Sequence, residues 1–316
     1  MKIIDLSNER AVIPTAGTSI ALGNFDGFHN GHRELVRRTV QEEHENGHRS
    51  SVLLFKNHTS EILPQDKDGY LSALPDKLRR LEELGISCVY LLNFDRTVRD
   101  MTPEHFLKSL LIETLGAKHI VVGEDYTFGK KALGTVQYLQ EQCEKLDYRL
   151  SVIPDVTYQG QRISSTRIRR CISSGGIEIA NCMLGYPYVL RGTVVSGAER
   201  GKKLGFPTAN LSLSFPYCLP IDGVYLTRVL LADGKKYFGL TNVGTNPTFT
   251  EKGPVKVETY LLDFNDNLYG QEIRLQFLRF ERRDITFPNK EALIAQMQND
   301  EKILRSWVSI YEKLGE

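Results

Sequence analysis

Short apolar runs alternate with amphipathic stretches through the first half of the chain. Runs of strand length fall at Thr18–Leu22, Ser51–Phe55, Cys88–Phe94, His119–Gly123 and Arg149–Ile153. Between them the apolar spacing is helical over Gly31–Glu45, over Pro75–Leu84 and over Thr135–Lys145. In the second of these, leucines at 74, 78, 81 and 84 form one stripe, closed by Gly85. A further helix opens with Thr102 as N-cap and Pro103 at its first position, carries Phe106, Leu107, Leu110, Leu111 and Leu115 on its apolar face, and ends at Gly116. Strands alternating with helices predict right-handed βαβ crossovers and a parallel sheet. Ligands of such sheets collect at the carboxyl ends of strands, where Gly23, Phe55 and Gly123 fall.

The pattern changes near Gly185-Tyr186-Pro187, after a helical stretch Gly176–Leu184. From there to Pro288 the chain runs in short β-like segments: Tyr188–Val195, Val224–Leu231, Lys236–Val243, Lys256–Asp263 and Glu272–Arg279. Asp233-Gly234 is a hairpin turn signal, and Asn289–Leu314, with Trp307, reads as a closing helix. These features predict a small, closed antiparallel barrel with a terminal helix. The expected division is an α/β domain over residues 1–184 and an all-β domain over 185–316.

Composition narrows the class. A chain of 316 residues suits two domains, each with its own core. Hydrophobic residues make up 41% and charged residues 25%, as in ordinary globular proteins. A net charge of +1 gives no electrostatic case for a nucleic-acid or membrane partner. The five cysteines form no C-x-x-C pair, which argues against a disulfide framework or a zinc site and for reduced thiols. The N-terminus lacks a signal-peptide core, and no apolar run approaches the ~20 residues of a membrane span, so the expected location is the cytoplasm.

Candidate chemistry centres on Gly23-Asn24-Phe25-Asp26-Gly27-Phe28-His29-Asn30-Gly31-His32, a strand-to-helix turn. Its glycines allow close backbone approach, and the following helix points free N–H groups at whatever occupies the turn. With His29 and His32 as donors and Gly31 between them, the turn suits a polyphosphate, although neither G-x-G-x-x-G nor a P-loop is present. Ile163–Arg170 forms a second phosphate cradle: Ser164 or Ser165 caps a helix whose first turn brings Thr166 and Arg167, while the pattern leaves open whether Arg169 and Arg170 are simply solvated. The loop Gly123–Lys131 gathers polar, aromatic and basic groups, either as a binding loop or as a connector packed on the sheet. In Gly205–Asn210, Pro207 fixes the backbone and presents the Thr208 hydroxyl and Asn210 carboxamide, hard oxygen ligands suited to Mg²⁺. Upstream, Gly192–Lys203 is a glycine-punctuated basic loop able to close over phosphates, with Gly201 and Lys202 near its end. Along Val255–Leu261, alternation sets Glu258 beside Lys256 and Tyr260, and leaves open whether that face meets a site or solvent.

The H-x-G-H spacing resembles the nucleotidyltransferase superfamily, and G-x-F-D-G-x-H-x-G-H resembles the FMN-adenylylating half of bacterial bifunctional riboflavin kinase/FAD synthetases. Gly123–Gly129 is similar to that family's V-G-x-D/N-F-x-F-G element, and Ile163–Arg169 to its I-S-S-T-x-I-R motif. Residues 192–210, Asn242–Phe249 and Val257–Phe264 resemble the three signatures of the riboflavin kinase module. One region departs: Phe55-Lys56-Asn57-His58-Thr59 keeps a histidine where the family has a His-Pro-rich string, but lacks the prolines.

The resemblance implies a Rossmann-like nucleotidyltransferase domain followed by a kinase barrel. It implies phosphorylation of riboflavin by ATP to FMN, then adenylylation of FMN by ATP to FAD with release of pyrophosphate, with Mg²⁺ accompanying ATP. His29, His32 and Arg167 would act in adenylyl transfer, with Gly23, Asn24, Phe25, Asp26, Gly31, Ser164, Ser165 and Thr166 binding ATP. Gly123, Asp125 and Phe128 would bind flavin there. In the kinase half Glu258 would be the catalytic base, Gly201 and Lys202 would bind phosphate, Asn242, Gly244, Pro247 and Thr248 would bind flavin, and Thr208 and Asn210 would hold the metal. Two other classes fit parts of the chain: a kinase with an impaired adenylyl half, and a flavin-binding regulator or RNA-binding protein.

Overall fold

The computed structural model describes residues 1–8, 15–56, 69–197, 205–244 and 255–313. The chain forms two compact units, Met1–Lys67 with Ser72–Ser165, and Asp68–Leu71 with Thr166–Glu316.

The first unit is built on six parallel strands: β1 (Lys2–Asp5), β2 (Thr18–Leu22), β3 (Arg49–Phe55), β4 (Cys88–Leu92), β5 (Ala117–Gly123) and β6 (Arg149–Ile153), in the order β1-β4-β3-β2-β5-β6. Helices α1 (Asn30–Asn46), α2 (Leu74–Glu83) and α3 (Val136–Leu146) join them. Alternation explains the two cores. Ile20, Leu22, Leu53, Ile120 and Val122 pack on one face of the sheet with Leu107, Leu111 and Leu115, while Ala21, Val52, Leu54 and Val121 pack on the other with Val36 and Leu81. A strand covered on both faces reads as a continuous apolar run, which is why β2 to β5 are visible in the sequence. The strand order reverses between β2 and β5, so the crevice of the fold opens at their carboxyl ends, beside Gly23 and Gly123.

Two features differ from expectation. β1 lies at an edge, four residues paired among the described residues with β4 alone, too short to show a period. Thr102 does cap the helix it opens, accepting from His105 N, and Pro103 is its first residue. From Phe106 to Thr114, however, that helix is a π-helix, with Leu115 N donating to Leu110 O at 3.0 Å. Phe106, Leu107 and Leu111 still enter the core.

The second unit is a closed barrel of six antiparallel strands: β7 (Tyr188–Val195), β8 (Thr208–Leu213), β9 (Gly223–Leu230), β10 (Lys236–Gly244), β11 (Lys256–Leu261) and β12 (Glu272–Arg283). They close in the order β7-β8-β11-β10-β9-β12. Its sixth strand, β8, occupies the stretch expected as a connection. Inside the barrel, Thr227, Thr241 and Thr259 form a hydroxyl chain with O···O distances of 2.7 and 2.9 Å, which satisfies polar groups that water cannot reach. The terminal helix α6 (Lys290–Lys313) covers the outside, setting Leu304, Trp307 and Val308 against Leu226, Leu240 and Tyr260. Arg282 forks onto Asp300 (Nη2–Oδ2 2.6 Å), and Arg279 lies 4.0 Å above the Trp307 ring.

The expected division at 184/185 falls where the barrel begins. The two helices before it, α4 (Ser165–Ser173) and α5 (Ile177–Leu184), group with the barrel from Thr166 onward. Asn181 is one reason: its amide donates to Phe277 O and accepts from Tyr188 N, both at 2.8 Å. Gly69–Leu71 also belongs to this unit, because Tyr70 N donates to Pro216 O and Tyr70 O accepts from Cys218 N. Gly69 has φ +73°, and a Cβ there would lie 2.5 Å from Tyr217 O, so no other residue fits that strap.

Candidate active sites

The turn after β2 is strained and tightly buttressed. Phe25 and Phe28 adopt positive φ, 50° and 40°, in the left-handed region that favours glycine. Full burial of both rings in the core offsets that strain, so Phe25 serves the turn from beneath. Asp26 is buried and its Oδ1 accepts from Ser72 N at 3.2 Å. Gly27 N donates to Ser72 Oγ at 2.9 Å, Ser165 Oγ donates to Asp26 O at 2.9 Å, and Lys77 Nζ donates to Asn24 O at 3.3 Å.

His29 and His32 stack with ring centroids 3.7 Å apart. Gly31 permits this, since a Cβ there would come within 3.2 Å of the His29 ring. The Nδ1 atoms of both histidines are buried without a hydrogen-bond partner among the described residues, polar atoms left for a ligand. Burial lowers His29 to about 4 against the opposing pull of Asp26. Burial also holds His32 well below its usual range, reinforced by His29 and Lys77. Both imidazoles are therefore neutral at pH 7 and can act as hydrogen-bond donors without adding charge.

Of the remaining residues expected here, Ser165, Thr166 and Arg167 occupy the first turn of α4, and Ser164 immediately precedes it. Asp125 pairs with Arg162 at 2.5 Å, which in turn reaches Asp155 at 2.9 Å. Phe128 is buried, its ring against Phe106 and Tyr126, so this side chain follows the connector alternative of the loop. Lys56 is tied to Asp5 at 2.9 Å, while Asn57, His58 and Thr59 lie outside the described residues. Sequence reasoning missed Ser72, Lys77 and Arg162. A hollow of about 510 Å³ with His48, Lys118 and Arg149 in its lining lies at the amino ends of the strands, away from the turn.

On the barrel, β-sheet register assembles the second set. Glu258 on β11 lies opposite Asn210 on β8 and Asn242 on β10, and Thr208 lies opposite Tyr260. Val257, Thr259 and Leu261 are buried, so Glu258 is on the outer face. There it lines a cavity of about 220 Å³ with Thr208, Asn242 and, from α6, Leu293 and Met297. Glu258 Oε2 is 3.5 Å from Thr208 Oγ1. A second hollow of about 590 Å³, with Pro207, Phe264, Asp266 and Tyr269 in its wall, also reaches Thr208. Gly197 abuts Asn210, since a Cβ there would lie 2.2 Å from Asn210 Nδ2. Gly244 is buried at the end of β10, whereas Gly201, Lys202, Pro247 and Thr248 lie outside the described residues.

Comparison with known proteins identifies what both units serve. Residues 13–167 match a family model for FAD synthetase, and residues 184–308 match one for riboflavin kinase. A bifunctional riboflavin kinase/FMN adenylyltransferase of Listeria monocytogenes is 34% identical over 93% of each chain. The chain belongs to this bifunctional family. Relatives of the same name from Bacillus subtilis (33% identical, 96% of each chain) and Escherichia coli K12 (32%, 98% of this chain and 99% of that one) span it equally. A crystal structure from Streptococcus pneumoniae, described as a macrolide-efflux protein, superposes with TM-score 0.86 at 31% identity, covering 97% of this chain and all of that one. Among the described residues no helix is long and apolar enough to cross a membrane. As a member of the bifunctional family, the enzyme phosphorylates riboflavin to FMN and adenylylates FMN to FAD.

Proposed function

We propose that adenylyl transfer runs at the Gly23–His32 turn and that riboflavin phosphorylation runs on the outer face of the barrel around Glu258, residues 1–184 serving the first and 185–316 the second. The single observation that carries the second assignment is the position of Thr208, which lines both cavities. ATP enters the larger one and the flavin the smaller, so the phosphoryl group passes beside Thr208. Glu258 accepts the proton of the ribityl 5′-hydroxyl as its oxygen bonds to the γ-phosphorus, and the bridging oxygen leaves with ADP. Asn242 lines the flavin cavity, and Gly244 follows two residues later on the same strand. Gly201 and Lys202 as phosphate-binding residues, and Pro247 and Thr248 as flavin-binding residues, belong to the same proposal and lie outside the described residues.

Mg²⁺ fits this face. Thr208 Oγ1 and Asn210 Oδ1 are neutral, hard oxygen donors on one side of one strand, and two such ligands leave the remaining positions to water and phosphate. When bound, the ion would neutralise charge on the β- and γ-phosphates.

In the first unit the FMN phosphate attacks the α-phosphorus of ATP, and pyrophosphate leaves. The N–H groups at the start of α1, the neutral imidazoles of His29 and His32, and Ser164 stabilise the charge that moves onto the leaving group, the role that the family motif also gives to Thr166 and Arg167. Gly23, Asn24, Asp26 and Gly31 shape the turn, and Gly123 and Asp125 the flavin side, where the buried Phe128 packs beneath the loop. Both reactions consume ATP, which supports a cytoplasmic location.

Glu258→Gln keeps the side chain's shape and removes its basic oxygen. FMN formation should fall by ~10²-fold or more, while FAD synthesis from added FMN continues. A variant that phosphorylates riboflavin at the wild-type rate would take Glu258 out of the mechanism.

A further inference from the structure

A buried lysine beneath the phosphate turn has no part in the scheme above. Lys77 belongs to α2 and is 8% exposed. Lysines are almost never buried without a structural reason. Its Nζ donates to Asn24 O at 3.3 Å. The residues leading into α2 bind the same turn, Ser72 N to the Asp26 carboxylate and Ser72 Oγ to Gly27 N. Three of the four residues after Gly23, namely Asn24, Asp26 and Gly27, are thus held from one helix start.

We propose that Lys77 is a positioning residue of the adenylyl-transfer site, which draws the Asn24 carbonyl onto the α2 side so that the turn presents donors to the polyphosphate of ATP. The proposal rests on the reading that ATP phosphates occupy this turn. A peptide carbonyl directed at phosphate oxygens would repel them, and an ammonium bound to it removes that conflict. The groups that face His32 are the stacked His29 ring, the Phe25 and Phe28 rings at 5.1 and 6.3 Å, and Lys77. His29 in turn feels Asp26, Arg162 and Asp125. Within this set Lys77 is one of the charges that disfavour imidazolium at His32, after burial and His29. A neutral imidazole retains one N–H for the leaving group and one lone pair for a proton, whereas an imidazolium loses that lone pair.

The test uses the full-length enzyme and follows FAD formation from added FMN and ATP between pH 4.5 and 8. Lys77→Met removes the charge and keeps an apolar stem that tolerates burial. It should lower kcat/KM for ATP tenfold or more and move the acid limb of the profile to higher pH, because loss of a nearby positive charge favours imidazolium. Lys77→Arg should keep the limb in place. Riboflavin phosphorylation by the same preparation reports that the chain is folded, and Lys77→Gln replaces the methionine variant if that one is not. A charge-removing variant within twofold of wild type, or one that loses activity with an unmoved limb, overturns the proposal. His32→Ala separates the two levels: if it leaves FAD formation intact, the site reading itself fails, and if it disables the enzyme while Lys77→Met does not, only the role of Lys77 falls.

Discussion

His119 offers a quantitative test of how the first unit is held together. It lies on β5, 1% exposed, with its two ring nitrogens hydrogen-bonded to Ser19 Oγ and Ser151 Oγ, each at 2.8 Å. Burial lowers it to about 4, with Arg38 and His48 adding to the effect. Glu42 Oε2 lies 3.8 Å away and pulls in the other direction, but that carboxylate is already engaged by Arg38, Arg149 and His48, so the depression stands. The folded state therefore binds fewer protons than the unfolded chain from pH 6.5 down to about 4. The stabilisation is complete above the unfolded value and is lost as pH falls through this window. At pH 5 the loss is about 2 kcal/mol for a group shifted this far, a large share of the stability of a domain. His119→Gln retains a hydrogen bond to a neighbouring serine and cannot titrate. Urea unfolding, followed by hydrogen exchange at the β2 and β5 amides, should show wild type losing about 2 kcal/mol more than the variant between pH 7 and pH 5. Superimposable pH dependences would refute the burial argument for His119.

Two further outcomes follow from the proposed division of labour. His32→Ala should lower FAD formation by ~10²-fold or more, the scale of losing one donor to developing charge, with riboflavin phosphorylation near wild type; equal loss of both activities in a folded variant would make His32 structural. A fragment ending at Leu184 should make FAD from FMN and no FMN from riboflavin, with a melting temperature lowered by loss of the Asn181 bonds to Phe277 and Tyr188, and a folded but inert fragment would refute the division.

The sequence exposes elements whose burial imposes a period. β2 to β5 are covered on both faces, and α2 carries one leucine stripe, so both are legible without tertiary information. β8 is not, because its outward positions carry Thr208 and Asn210 and its first residue follows Pro207. Those oxygens read as a ligand set, and the strand that presents them was hidden by them. The π-helix is likewise invisible, since a change of pitch leaves the same apolar residues in the core. At the sites, His29 and His32 are legible because they are contiguous with the turn they serve. Ser72 and Lys77 reach it from a separate segment and read as an ordinary helix start. Arg162 is paired through space with Asp125, a relation with no trace in spacing. Phe25 and Phe28 read as part of a ligand turn, yet core packing is what keeps their unusual backbone in place.

The two halves differ in the one way their chemistries require. In the proposed adenylyl transfer the attacking group is a phosphate, already ionised at neutral pH, so no base has to be supplied. The carboxylate nearest the turn, Asp26, is buried and committed to Ser72 N, and the two histidines are stacked and neutral, an arrangement that donates hydrogen bonds and takes up little positive charge. In the proposed kinase step the attacking group is a primary alcohol, which must lose a proton as its oxygen bonds to phosphorus. There the fold presents Glu258 on the outer face of β11, half-buried, facing a cavity of about 220 Å³ and flanked by the carboxamides of Asn210 and Asn242. A barrel whose interior is closed by threonine hydroxyls leaves only its outer face for such chemistry, and α6 turns part of that face into a cavity. The same logic explains why exchange of residues between the sites would fail in both directions. A carboxylate at the His32 position would repel the triphosphate, and an imidazole held as neutral as His29 at the Glu258 position would be too weak a base for the hydroxyl.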